Sequence, residues 1–249
     1  MKKTYLFPVL GVLVLIAVIF AAGCTGTTTT PAQTLGTVEV VEVPAGQQIN
    51  ALALDQIDGF INWQPNVAAA TVSGVGKVIS YSQDLPRSDG KTWKEHTCCV
   101  FGANEDGLKN KEMATVLTGL MLLGNKFVIE HPDEAAVSVA NWMYGTTDPT
   151  FGSKTVKAID IIKTSLPTIK FSTEVTDTWK DSTFEFVETQ RELGTLVKNL
   201  KSTSREETEA LLYDFEPYYA AKKIIDEKGN FAAPVSGKIT IGSLRSDHD

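Results

Sequence analysis

The chain has 249 residues, 43% of them hydrophobic, and 30 acidic against 23 basic side chains leave a net charge of −7. That balance argues against nucleic acid and anionic membrane surfaces as partners, because both select clustered Lys and Arg. Three cysteines, two of them adjacent at Cys98 and Cys99, exclude a conventional disulfide framework and leave stability to packing.

The chain opens with Lys2-Lys3, an apolar run from Tyr5 to Ala22, and Ala21-Ala22-Gly23-Cys24. A charged start, an apolar core, small residues at a cut site and a thiol are what a lipoprotein export signal needs. Residues 1–23 are therefore expected to be removed and Cys24 to carry lipid. An uncleaved anchor helix is the alternative, and both place the rest of the chain outside the cytoplasm. Residues 24–37 are rich in Thr with almost no apolar mass, a composition that reads as a tether with a reach of about 20 Å.

Residues 38–103 read as α/β. Val38 to Val43 alternates valine with glutamate, a strand pattern, followed by a helix through Ile49, Leu52 and Leu54 and a short apolar strand from Ile57 to Trp63. The short links predict a parallel pair with a right-handed crossover. A helix from Val67 to Val72, a strand from Lys77 to Ser82, a surface loop from Leu85 to Lys94 and a buried strand from Thr97 to Ala103 follow. In that strand Cys98 and Cys99 are expected to be small buried residues, with a strained vicinal disulfide as the alternative.

Residues 104–236 change to helical spacing. Met113, Val116, Leu117, Leu120, Phe127 and Val128 mark one long amphipathic helix ending near His131-Pro132, and Pro132 starts a second that stops at Gly145. Asp148-Pro149 reads as a cap with proline at the first helical position, ahead of Val156, Ile159 and Ile162. Trp179, Phe186, Val187 and Leu193 define another helix, and Ser204 with Glu207 has capping-box spacing before Leu211 and Leu212. Residues 237–249 return to alternation and read as a strand that needs a sheet to join. Without a covering sheet, the apolar faces of Met113 to Val128 and Val137 to Met143 are expected to be exposed and to want a partner.

Several catalytic and metal patterns fail. Gly74-Val75-Gly76-Lys77 is not a phosphate loop, because Thr71 and Val78 stand where the loop needs glycine and a hydroxyl residue. His96, His131 and His248 lie far apart and share no metal-ligand spacing, so no metal is expected. No serine sits in a nucleophile elbow. His96 beside Cys98 can be drawn as base and nucleophile, but the reading favoured is a half-buried histidine beside core thiols.

Taken together, Ala51-Leu52-Ala53-Leu54-Asp55-Gln56-Ile57-Asp58-Gly59-Phe60-Ile61-Asn62-Trp63-Gln64-Pro65 and His96-Thr97-Cys98-Cys99-Val100 resemble the solute-binding receptors of ABC importers in the nitrate, sulfonate, taurine and bicarbonate group. Glu130-His131-Pro132-Asp133-Glu134-Ala135-Ala136 is similar to the start of the second of that family's paired C-terminal helices, and Gln64 stands where the family usually has glutamate. The resemblance runs from about Val38 to about Leu200. It implies an α/β fold, a partial type II periplasmic-binding-protein-like fold with a helix-rich C-terminal half, in which two lobes close on a small polar or anionic solute. Roughly the first half of a standard receptor is expected to be missing, and residues 237–249 look like its opening strand.

The resemblance implies a ligand site at Asn62, Trp63, Gln64, Pro65, His96, Cys98, Ser246, Asp247 and His248, with Trp63 a wall and Asn62 or Gln64 supplying hydrogen bonds. The bland alternative is that Trp63 only packs the lobe and Pro65 only starts a helix. No cofactor and no enzymatic activity are expected. The implied partners are a small solute, an ABC permease with its ATPase, and the membrane through the lipid anchor on the extracytoplasmic face. Two alternatives remain: a protein like the thiamine-pyrimidine synthases, which share the fold, and a degenerate fragment needing another chain.

Overall fold

A computed structural model describes residues 36–196 and 198–229. The export signal, Cys24, most of the tether and the C-terminal strand with Ser246, Asp247 and His248 lie outside the described residues. The chain divides into two units at Glu42/Val43. On the N-terminal side, residues 36–42 are irregular, with Val38 and Val40 exposed, so the valine–glutamate alternation does not form the expected strand.

From Val43 onward the structure is mixed and mostly helical. Helix α1 spans Gln48–Ala53 after a single 3-10 turn, and α2 spans Asn66–Val72. A short α3, Glu105–Lys109, leads into α4, Lys111–Glu130, and α5, Pro132–Tyr144. Strands β1, Thr150–Phe151, and β2, Lys154–Thr155, form an antiparallel hairpin with Thr150 opposite Thr155. Helices α6, Ala158–Ser165, α7, Asp177–Glu192, α8, Arg205–Leu212, and α9, Glu216–Lys228, complete the described chain.

Local chemistry explains the helix ends. The Asn110 side chain accepts from Met113 N to start α4, and Pro132 occupies the first turn of α5, where its missing N–H costs nothing. Gly145, at φ 65°, ends α5 in a conformation that a side chain disfavours. Ser204 and Glu207 form the reciprocal capping box of α8. Helix α9 has Pro217 in its first turn and left-handed Gly229 after its last residue, the proline-in, glycine-out pattern of a well-bounded helix.

The Asp148-Pro149 expectation needs correction. Pro149 leads into the hairpin rather than a helix, because Gly152 adopts φ 56° at the first position of a two-residue turn and folds the chain back. A Cβ on Gly152 would stand 2.9 Å from Ala53 Cβ, so glycine is required twice over. Asp148 nonetheless caps a helix: its Oδ1 accepts from Ala158 N at 3.0 Å, across the whole hairpin.

Two small cores lie side by side. Ile49, Ala68, Ala69, Ala70, Phe151 and Ile161 form one, where α1, α2 and α6 meet the hairpin. Ala136, Ala140, Ala158 and Ile162 form the other, between α5 and α6. Tyr144 packs against both, and burial pushes its phenol up to about 12. The alanines let the helices approach closely. Helix α9 lies along α4, and Lys111 pairs with Glu216 at 2.7 Å.

The expected parallel sheet is not found among the described residues, where β1 and β2 are the only strands. Residues 57–63, 77–81 and 97–103 run largely without regular structure and join no ladder. Their apolarity predicted burial, but a strand becomes one only when a neighbour accepts its hydrogen bonds, and these segments do not pair with one another. Ile61 and Ile79 are 97% and 98% exposed. The helices show the same imbalance among the described residues: Leu120, Met121, Phe127 and Ile129 on α4 and Val137 and Trp142 on α5 are exposed. By length and composition alone α4 is also able to cross a membrane.

Candidate functional site

The corner at Asn62 to Pro65 is built by hydrogen bonds that use nearly all of its polar side-chain groups. Asn62 Nδ2 donates to Ala45 O and to Gln48 Oε1, each at 3.0 Å. Its Oδ1 accepts from Trp63 N at 2.8 Å and from Asn66 Nδ2 at 3.1 Å. One amide thus ties the entry to α1, the corner and the start of α2 together. Gln64 works the same way: Oε1 accepts from Ala68 N at 3.0 Å in the first turn of α2, and Nε2 donates to Thr168 Oγ1 at 2.9 Å. The Gln64–Pro65 peptide is cis.

Asn62 and Gln64 are therefore committed to holding the corner. Trp63 is 59% exposed, and its backbone N–H is held by Asn62 Oδ1. Pro65 does precede α2 directly, as the helix-starting alternative had it.

The second group of expected site residues lies at the end of the loop from Leu85 to His96. This loop docks on α7: Ser88 Oγ donates to Glu185 at 2.7 Å, Ser182 Oγ donates to Lys94 O at 2.8 Å, and Trp93 packs on Phe186 with ring centroids 4.1 Å apart. Glu95 bonds Lys170 and Thr176, and the Lys170 ammonium holds its carboxyl below the usual range despite partial desolvation.

His96 meets Ser82, not a thiol. Its Nδ1 lies 3.1 Å from Thr97 O, which can only accept, so Nδ1 carries a proton, and Nε2 shares a hydrogen bond with Ser82 Oγ at 2.8 Å. The base-and-nucleophile drawing with Cys98 is not realised. Ser82 and His96 stand at opposite ends of a loop, and no local sequence pattern signals that they meet.

Cys98 and Cys99 are free and exposed, which overturns the buried-strand reading. Their Sγ atoms lie 3.7 Å apart, so there is no vicinal disulfide. Partial desolvation, with Cys99 adding to it, raises the Cys98 thiol above its ordinary value. Among the described residues no group of His, Cys, Asp and Glu gathers in a metal-holding cluster.

No curated protein and no solved structure matches the chain. A sequence model of the NMT1-like family matches residues 30–144, just under half of the chain, and that stretch includes the Trp63-Gln64-Pro65 corner, the docked loop and helices α4 and α5. Over those residues the chain is similar to solute-binding proteins of the nitrate, sulfonate and taurine type.

Proposed function

We propose that the chain is the lipid-anchored, extracytoplasmic solute-binding component of an ABC importer, taking a small polar or anionic solute of the nitrate, sulfonate, taurine or bicarbonate kind. The observation that carries this reading is the family match across the corner and the paired helices α4 and α5. Export supports it from a separate direction, through the Lys2-Lys3 start, the apolar run and Cys24.

In this reading Trp63 supplies a wall for the solute, while Asn62 and Gln64 set its position through Trp63 N and the first turn of α2. His96, with Nε2 hydrogen-bonded to Ser82, and Cys98 stand at the end of the docked loop, and Ser246, Asp247 and His248 complete the proposed ligand set. The protein binds without transforming its solute, and a permease with its ATPase moves the cargo inward.

Titration calorimetry with nitrate, taurine, aliphatic sulfonates, bicarbonate and a pyrimidine tests the reading. Heat with one of the anions or taurine, lost in Trp63→Ala, is expected; silence from all of them removes it. Binding of the pyrimidine alone favours the thiamine-pyrimidine-synthase-like alternative. Labelling with a fatty-acid analogue, lost in Cys24→Ala, tests the anchor.

A further inference from the structure

Of the extended segments, residues 97–103 stand apart. Cys98 to Ala103 are all exposed, and their backbone N–H and C=O groups make no hydrogen bond among the described residues. The sequence Thr-Cys-Cys-Val-Phe-Gly-Ala contains no charge and no proline, two of the devices that keep an extended segment from pairing with another chain. By contrast, Asp58 interrupts residues 57–63 and Lys77 heads residues 77–81. A chain of net charge −7 repels its own copies, so an uncharged extended strip is where two copies approach at least electrostatic cost.

We propose that residues 97–101 pair antiparallel with the same residues of a second copy, and that a disulfide between the two Cys99 residues locks the pair. Two-fold symmetry in an antiparallel ladder requires one residue to face its own counterpart. Centring on Cys99 gives a ladder from Thr97 opposite Phe101 to Phe101 opposite Thr97, all within the extended strip. Centring on Cys98 stops at Thr97 opposite Cys99, because the next residue, His96, already donates its N–H to Trp93 O. Directly opposed residues have Cα atoms about 4.5–5.5 Å apart, within the span a disulfide bridges.

The strip is also short. One strand pair buries less than the ~1,200 Å² of a stable interface, so the non-covalent pair is weak and the disulfide makes it durable. In the closing step the two Cys99 thiols lose two protons and two electrons to a small-molecule disulfide oxidant, which is reduced to two thiols. The oxidising setting rests on the export reading, but the chemistry does not. The test supplies its own oxidant and so fails independently of solute binding.

The full chain is incubated with oxidised glutathione, run on a non-reducing gel, and its tryptic peptide from Glu95 to Lys109 is mapped by mass spectrometry. A reducible dimer joined Cys99 to Cys99 is expected. Cys99→Ser should lower its yield at least tenfold while Cys98→Ser retains it. Val100→Lys places a charge on the strip, at an exposed position where the fold does not depend on it, and should cut the yield at least tenfold with alkylation of the thiols unchanged. Three results overturn the proposal: a monomer holding a Cys98–Cys99 bond or mixed glutathione disulfides, equal dimer yields in the two serine variants, and a dimer indifferent to Val100→Lys.

Discussion

The Gln64 side-chain amide donates to the Thr168 hydroxyl at 2.9 Å across 104 residues of sequence, and Thr168 in turn donates to Ser165 O at the end of α6. The other end of the same amide accepts from α2. One side chain thus caps one helix and ties it to the end of another. Gln64→Ala should cost about 1–2 kcal/mol, the loss of a cap and a partly buried hydrogen bond. Gln64→Glu should cost less, since a carboxylate still accepts from Ala68 N and suits a helix N-terminus. Thermal denaturation checks the ranking; equal losses in the two variants would contradict it.

Tyr144 predicts an alkaline limit. Its phenol is raised to about 12 in the folded protein, whereas an unfolded tyrosine ionises near 10. The folded state therefore keeps a proton that the unfolded state releases, and stability falls as pH rises from about 10 towards 12. Denaturant midpoints across that range should decline in the wild type, and Tyr144→Phe should flatten the part of the slope due to this residue.

The Ser204–Glu207 capping box offers a local test. Ser204→Ala removes the acceptor for Glu207 N and should cost about 1 kcal/mol. Helix α8 contributes buried Thr208, which bonds Thr203 and Arg191, so hydrogen exchange in 203–212 should accelerate before global unfolding does.

Helix α4 separates two kinds of leucine. Leu122 is buried and Leu120 is 55% exposed. Leu122→Ala should cost about 2–5 kcal/mol, whereas Leu120→Ser should leave stability within about 0.5 kcal/mol and improve solubility. Urea titration and sedimentation of the two variants decide this. A large loss from Leu120→Ser would mean that its face is already covered.

Legibility in the sequence follows locality. Helices α4, α5 and α7 and the α8 cap are readable because their periodicity and caps lie within a few residues of one another. Helix α9 has equally local signals in Pro217 and Gly229, yet they pass unmarked within a general helical half. The strands fail for the opposite reason: the apolar runs at 57–63 and 97–103 name a propensity, and the ladder that would make them strands is not local. At the corner, Trp63-Gln64-Pro65 stands out in sequence. That Asn62 and Gln64 spend their amides on the scaffold does not, because Ala45, Gln48 and Thr168 become neighbours only after folding. The Ser82–His96 pair is hidden for the same reason.

The Asp148 cap makes α6 a conditional helix. Eight residues are too few to persist alone in water, and the carboxylate that stabilises the first turn arrives only after the chain has doubled back at Gly152. Hairpin closure, helix formation and burial of Ile161 therefore form one cooperative event, and a peptide beginning at Val156 would be a random coil where the same residues inside the protein are ordered.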